Sequence, residues 1–351
     1  VLTFGFVLLT TDVAIGRRTK LNALNAYAAL GEKWRFLGFL TFLVPALIMT
    51  YYSVIGGWIL KYLTAYLTTD GSAPAQDGYF TGFITAPVAP IVFTLVFLAF
   101  TAFVVYCGVE KGIERYSRIL MPGLLLLIVG IAIFSLTLSY QGEDGITRTG
   151  LQGLGVYLLP NLEGLTVQRF LQVLLDAMSQ LFFSLSVSMG IMITYGSYMR
   201  KEDNIESSVR QIEVFDTLVA FLSGLIIVPA VFVFSGGDEN ALNAGPSLMF
   251  ITLPNVFKEM LGGQIVGAVF FLLVVLAAMT SSISLMETVV SIVEERFHWK
   301  RIPSCLIVTG ISFLIGLLSV FGYSIWSDFT IFHMQFLDFF DYISNNIMMP
   351  I

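Results

Sequence analysis

The sequence predicts an all-α membrane protein that crosses the bilayer several times. Of its 351 residues, 56% are hydrophobic and 12% are charged, whereas soluble domains carry about 25% charged residues. The mean hydropathy is +0.85. Apolar stretches of the length that a spanning helix needs, about 20 residues, recur along the chain. They lie at about 36–62, 88–108, 115–139, 170–199, 211–235, 263–293 and 302–322, with partial spans at about 1–16 and 333–351.

The two partial spans are too short to cross a bilayer by themselves. The first reaches Arg17 and Arg18 early, and the last stops at Pro350 without a polar flank. The start also lacks the basic region and cleavage site of a signal peptide. We therefore expect a single transmembrane domain over 1–351 that is cut inside a helix at both ends.

Basic residues indicate how the spans are oriented. Alternate loops hold 14 of the 18 Lys and Arg residues, whereas the other loops hold Lys61, Arg148, Arg169 and Lys258. Because basic residues are retained on the cytoplasmic side, the basic loops are predicted to face the cytoplasm. Their alternation independently supports the placement of the spans.

Several classes of function are disfavoured. The net charge of −6 comes with acidic outer loops, and no basic surface indicates a nucleic-acid partner. Cys107 and Cys305 lie in apolar helices near the cytoplasmic side, where packing is favoured over disulfide chemistry. His298 and His333 have no Cys or His neighbours, so no transition-metal site is expected. An intramembrane enzyme would need paired carboxylates or a Ser/His pair inside the spans, and we see neither.

The stretch 180–190 carries polar residues with an unusual period. Ser184, Ser186 and Ser188 alternate with apolar residues inside a predicted span. A period of two favours an extended break in the helix, which is tolerated at membrane depth only where it is buried or lines a cavity. An intact helix whose serines bond to carbonyls of the preceding turn fits the pattern equally well.

Other polar groups inside the spans also need partners. A hydroxyl stripe at 277–290 suits a hard cation, although helix packing is the more ordinary role. Asp216 begins an apolar run, where a carboxylate costs about 2.5–3.5 kcal/mol unless it has a partner or reaches the interface. Tyr52 lies mid-span and needs a hydrogen-bond partner. In the outer loop 235–263, an apolar patch forms either a re-entrant lid or an amphipathic cap.

Four stretches together resemble the neurotransmitter:sodium symporter family, in the order and spacing of that family. They are GVEKGIERYSRILMPGLL at 108–125, FFSLSVSMG at 182–190, ITYGSYM at 193–199 and MTSSISLME at 279–287. The resemblance runs from about residue 5 to the end. It implies a LeuT-type inverted-repeat bundle that extends from the end of the second helix through most of the tenth, without the first helix and the last two helices.

The resemblance also implies a function. It is secondary active transport: sodium-coupled symport of a neutral, hydrophobic or aromatic amino acid by alternating access. The implied partners are the amino acid, sodium ions and the lipid bilayer, with sodium as coupling ion and no other cofactor. The location is the cell membrane, and the lack of any Asn-x-Ser/Thr motif favours a prokaryotic inner membrane. A channel or a substrate-binding membrane sensor that shares the fold is the alternative, and the oligomeric state is not indicated.

The resemblance assigns roles residue by residue. The hydroxyl that binds the substrate carboxylate is Tyr52, and the side-chain pocket comprises Ile48, Phe183, Ser186, Met189, Ser281 and Leu285. The implied sodium ligands are Ala277, Thr280 and Ser281 for one ion and Ser184 with Asp216 for the other. The implied gates are Asp341 on the outer side, which pairs with an arginine of the first helix, and Glu295 with Tyr198 on the inner side.

Two departures from the family bear on ions and specificity. Many relatives carry Asn at the position of Asp216, and chloride-dependent members carry Ser at the position of Ala220. The carboxylate here could supply the negative charge that chloride supplies elsewhere, so chloride independence is predicted. Family members often have Gly where this chain has Ser188, which affects the volume of the pocket.

Overall fold

The structure is a computed structural model that describes residues 4–69, 71–142, 145–159, 165–237 and 246–350. It is built almost entirely from helices, and one antiparallel hairpin of β1 (Ser139–Gln141) and β2 (Thr147–Thr149) interrupts them. The helices are α1 (Phe4–Thr19), α2 (Ala23–Leu30), α3 (Arg35–Thr68), α4 (Tyr79–Ile84), α5 (Ala89–Tyr106), α6 (Arg115–Leu136), α7 (Gly150–Leu158), α8 (Val167–Ser184), α9 (Ile191–Tyr198), α10 (Ile205–Phe234), α11 (Leu253–Glu259), α12 (Gly263–Phe297), α13 (Arg301–Gly322) and α14 (Phe336–Asp341).

Six helices in the described part of the chain are long and apolar enough to cross a membrane. The all-α, multi-span fold class is therefore confirmed. The six are Glu32–Thr68, in which a short 3₁₀ turn precedes α3, then Ala89–Tyr106, Arg115–Leu136, Ile205–Phe234, Gly263–Phe297 and Arg301–Gly322. At the C-terminal end, α14 continues into a π-helical segment, Tyr342–Met348.

The stretch between α8 and α9 is a break in the helix, which is one of the two interpretations that the alternating serines allow. Regular helix ends at Ser184 and resumes at Ile191. The prediction that this break is extended was wrong, because Ser186, Ser188 and Gly190 have φ of 54°, 64° and 71°. Left-handed residues at every second position make a compact series of turns, in which the N–H of Val187 donates to the Phe182 carbonyl over 3.0 Å.

The core lies between α3 and α12 and is rich in aromatic side chains. Trp58, Tyr62 and Tyr66 of α3 are buried, as is Phe271 of α12. The apolar patch of the outer loop forms a π-helical turn at Leu248–Thr252 and then α11, and it packs against this cluster. The Tyr62 hydroxyl donates to the carbonyl of Phe250 over 2.7 Å. The patch thus covers the outer end of the core; residues 238–245, at the start of that loop, lie outside the described residues.

The loops that carry most of the basic residues meet at one end of the molecule. The Arg17 guanidinium donates to the carbonyls of Lys201 and Asp203, each at 2.5 Å. Glu295 accepts a hydrogen bond from the backbone of Asn22, and Arg301 donates to the carbonyl of Val105. This gathering agrees with the cytoplasmic face that the distribution of Lys and Arg predicts.

Two glycines allow α1 and α9 to touch through their backbones. A Cβ on Gly16 would overlap the carbonyl oxygen of Ile193, and a Cβ on Gly196 would overlap that of Val13. Small residues permit such close approach of helices in membranes. Since no side chain separates the two backbones, α1 and α9 form one tightly packed pair.

We expect Gly196→Ala to destabilise the protein by about 1–3 kcal/mol, because the added methyl group forces the two backbones apart. The thermal unfolding midpoint in detergent, followed by tryptophan fluorescence, measures this effect. Gly130→Ala in α6 is the matched control, since a Cβ there meets nothing within 4 Å and alanine favours the helix by up to about 1 kcal/mol. Equal midpoints for the two variants would contradict the close α1–α9 contact.

Candidate functional site

The helix break places a hydroxyl opposite the carboxylate of α10. The Ser184 hydroxyl lies at the C-terminal end of α8 and donates to Oδ1 of Asp216 over 2.5 Å. Asp216 is half-buried. A carboxylate in an apolar run needs a partner. For Asp216 this partner is Ser184, at the start of the break. Oxygen atoms of this kind suit a hard cation such as sodium.

The predicted pocket residues come from α3, from the end of α8 with the break that follows it, and from α12. The Tyr52 side chain on α3 lies near that of Ser281 on α12. Ile48, Met189 and Leu285 are buried in the same apolar cluster. Phe183 packs against that cluster, and Ser186 is half-buried within the break. The arrangement combines a phenol, hydroxyl groups and an apolar surface.

One turn of α12 carries the second set of predicted cation ligands. The Thr280 hydroxyl donates to the carbonyl of Ala277 over 2.8 Å, so the two oxygens are close enough to contact one ion. Ser281, the next residue, is exposed. The donor set is entirely oxygen, which fits sodium and disfavours a transition metal.

The predicted outer-gate residue, Asp341, lies where α14 becomes π-helical. The Asn345 amide donates to Oδ1 of Asp341 over 2.7 Å, and the Tyr51 hydroxyl lies near this carboxylate. The Ser344 hydroxyl lies 3.4 Å from that of Tyr51. Two adjacent tyrosines of α3 thus have different neighbours, Ser344 for Tyr51 and Ser281 for Tyr52.

The predicted inner-gate residues share a cavity of about 400 Å³ at the end of the molecule where the basic loops lie, but no hydrogen bond joins them. Tyr198 donates instead to Oε1 of Glu287 over 2.7 Å. Glu295 accepts from the Asn22 backbone over 3.0 Å and from the Asn25 amide over 2.7 Å. Both residues therefore line one cavity while each is bonded to a different partner.

A buried ion cluster, which the sequence analysis missed, underlies this cavity. The Glu287 side chain is completely buried, and the Arg301 guanidinium forms an ion pair with it through two nitrogens. Arg301 also pairs with Glu294 over 3.1 Å and donates to the Val105 carbonyl over 2.7 Å. A glutamate inside the apolar run 277–290 is itself a signal, since an intramembrane charge needs a partner.

A second missed residue, Asp12, meets the helix break from α1. It is 7% exposed, and its carboxylate lies near the backbone N–H of Ser188. Among the described residues its Oδ2 has no hydrogen-bond partner. Burial, reinforced by the charge of Asp12, raises the pKa of Tyr27 in the loop helix α2. The sequence does contain a signal for this site: Asp12 is a carboxylate in the apolar run 1–16, and such a carboxylate needs a partner, as Asp216 does.

Known proteins resemble the chain over almost its whole length. The profile of the Sodium:neurotransmitter symporter family matches residues 84–349. An uncharacterised sodium-dependent transporter of Bacillus subtilis is 35% identical, over 99% of this chain and 74% of the relative. One from Haemophilus influenzae is 31% identical, over 99% of this chain and 76% of the relative. The crystal structure of MhsT in complex with L-phenylalanine matches with a TM-score of 0.84 and 33% identity, over 99% of this chain and 76% of that one.

We expect Arg301→Gln to destabilise the protein by about 3–5 kcal/mol, because it leaves the buried charge of Glu287 without a partner. Chemical or thermal unfolding in detergent gives this difference. Arg118→Gln is the control: its ion pair with Glu114 is largely exposed, and the loss should stay below about 1 kcal/mol. A similar small loss for both variants would exclude a structural role for the buried cluster.

Proposed function

The chain belongs to the sodium:neurotransmitter symporter family, and from this premise we propose that it takes up a neutral amino acid with a hydrophobic or aromatic side chain by sodium-coupled symport. It is a sodium-dependent transporter and not an enzyme, and its several membrane-spanning helices make it a multi-pass membrane protein. We further propose that the protein transports by alternating access and that it lies in the cell membrane, as a prokaryotic inner-membrane protein.

The observation that carries the substrate proposal is the Tyr52–Ser281 pair beside an apolar surface. A phenol hydroxyl and the backbone groups of a broken helix suit the α-carboxylate of an amino acid. Ile48, Met189 and Leu285 suit an apolar side chain. The likeness to MhsT, whose structure holds L-phenylalanine, supports an aromatic or similarly large substrate.

The sodium ligands are proposed in two sets. Ser184 and Asp216 would hold one ion near the substrate carboxylate, and Ala277, Thr280 and Ser281 would hold the other. With about 100 mV and a tenfold gradient, two ions entering together would release about 7 kcal/mol. That could sustain a concentration ratio of roughly 10⁵ for a neutral substrate. No further energy source is required.

We propose two gates, one on each side of the substrate pocket along the path that the substrate would take across the membrane. Asp341, held by Tyr51 and Asn345, would control access from outside. Tyr198 and Glu295, which line the inner cavity, would control access from the cytoplasm. Since they lie away from the pocket, their neutralisation should change turnover more than sodium affinity.

We expect Tyr52→Phe to weaken substrate binding roughly ten- to hundredfold, because it removes the hydroxyl that would donate to a carboxylate. Binding of radiolabelled phenylalanine or leucine to the purified protein in sodium measures this effect. Tyr66→Phe is the matched control on the same helix, since the Tyr66 hydroxyl is buried without a hydrogen-bond partner among the described residues.

Uptake into proteoliposomes provides the test of coupling. Uptake should require an inward sodium gradient and should stop when potassium replaces sodium. Uptake that persists in potassium would exclude sodium coupling, and binding without uptake would favour a sensor. A Tyr52→Phe variant that binds as tightly as wild type would exclude the proposed carboxylate site.

We expect Asp216→Asn to lower sodium affinity by roughly tenfold or more, since the ion loses a charged ligand. Adding Ala220→Ser, the residue of chloride-dependent relatives, should make uptake by the double variant respond to chloride. Sodium titrations in chloride and in gluconate measure both effects. Ala220→Ser alone is the control and should remain insensitive to chloride. Stimulation of the wild-type protein by chloride would contradict the proposed chloride independence.

A further inference from the structure

Two helices that flank the cytoplasmic half of the path are joined by two parallel hydrogen bonds. The hydroxyls of Tyr195 on α9 and Ser284 on α12 lie 2.9 Å apart. One turn further toward the cytoplasm, the Tyr198 hydroxyl donates to Glu287 over 2.7 Å. The donors and the acceptors are each three residues apart, so both pairs lie on facing stripes of the two helices.

The two pairs differ in their position along the path. Tyr198 is 40% exposed and lines the inner cavity, whereas Tyr195 is half-buried. Ser284 lies three residues beyond Ser281 of the proposed pocket. Its own hydroxyl donates to the Thr280 carbonyl over 3.1 Å, so Tyr195 is the donor to Ser284. The Tyr195–Ser284 bond therefore lies between the proposed substrate pocket and the cytoplasmic cavity.

The opposite side of α9 is attached in a different way. The backbones of α1 and α9 touch at Gly16 and Gly196, and Lys20 donates to the Ser197 carbonyl over 3.1 Å near the end of α9. Backbone contact leaves no room for sliding. By contrast, side-chain hydrogen bonds to α12 can break and re-form, since each contributes only a factor of roughly five to an equilibrium.

We propose that Tyr195 and Ser284 are positioning residues that hold the cytoplasmic path closed, and that their hydrogen bond breaks when α9 moves away from α12. This inference rests on the proposed alternating-access transport. It adds a second, deeper inner contact to the gate residues named above. The bond acts on the equilibrium between closed and open forms rather than on the substrate itself.

A cysteine at position 288 reports whether the path is open. Thr288 is 1% exposed, and its hydroxyl bonds to the Ser284 carbonyl one turn away, so Thr288→Cys should react slowly while the helices are in contact. The background carries Cys107→Ser and Cys305→Ala, which remove both native thiols. A membrane-impermeant maleimide is added from the cytoplasmic side of inside-out vesicles that hold the full chain.

Tyr195→Phe is the cleaner of two test variants, because Ser284 keeps its bond to Thr280. We expect Tyr195→Phe and Ser284→Ala each to raise the labelling rate of the 288 cysteine about three- to tenfold. The double variant should exceed neither single variant, since both remove the same bond. Ser284→Thr keeps the hydroxyl and should label at the wild-type rate.

Ser282→Ala is the matched control on another face of α12. Its hydroxyl lies 3.1 Å from that of Thr101 on α5, so the variant also loses a buried interhelical contact, but not one to α9. Its labelling rate should equal that of wild type. A general loosening of the protein would instead raise labelling in this control and lower the thermal unfolding midpoint.

Wild-type labelling rates in Tyr195→Phe and Ser284→Ala would overturn the proposal, and so would an equal increase in Ser282→Ala. The labelling needs no substrate, so its outcome is separate from the proposed function. If wild-type protein shows no sodium-driven uptake but the variants label faster, the transport proposal fails and the contact between α9 and α12 stands. If uptake is sodium-driven and labelling is unchanged, only the positioning role fails.

Discussion

The constraint on which the site depends is the interruption of a helix inside an apolar environment. Such a break frees backbone groups that lipid cannot bond, so protein groups must satisfy them. Here the carboxylate of Asp12 lies near the Ser188 N–H, and the Val187 N–H donates to the carbonyl of Phe182 in the last turn of α8. The break also exposes Ser184 to Asp216. A pocket for a polar ligand can exist at this depth because the backbone there is not helical.

The break has a conformational cost that the surrounding packing must offset. Ser186 and Ser188 adopt left-handed backbone angles, which cost of order 1 kcal/mol or more for a residue with a Cβ. Glycine would adopt the same angles freely. The tight α1–α9 contact next to the break helps to hold this conformation, since Gly16 and Gly196 bring the helix after the break directly against α1.

The same helix, α9, has two kinds of neighbour, and the difference matters for movement. It is joined to α1 by backbone contact and to α12 by side-chain hydrogen bonds. Beneath the second contact lies the buried pair of Glu287 and Arg301. A buried ion pair resists loss of either partner more than it adds stability, whereas each side-chain hydrogen bond between α9 and α12 adds only about 1 kcal/mol.

Much of the fold was determined by the sequence itself. Span length, composition and the alternation of Lys and Arg predict the membrane helices, because a bilayer imposes these requirements locally on each segment. The period of two at 184–188 allows a broken helix as well as an intact one. It does not predict the compact, left-handed form of the break, which depends on what packs around it.

Pairings between distant residues were decided by the tertiary structure. Asp12 meets Ser188, Tyr198 meets Glu287 rather than Glu295, and Tyr195 meets Ser284. A polar residue inside an apolar run indicates that a hydrogen-bond partner is needed, since a buried polar group without a partner is costly. Which partner it finds is a matter of how the helices are rotated and how closely they approach, and only the packing of whole helices against one another sets those quantities.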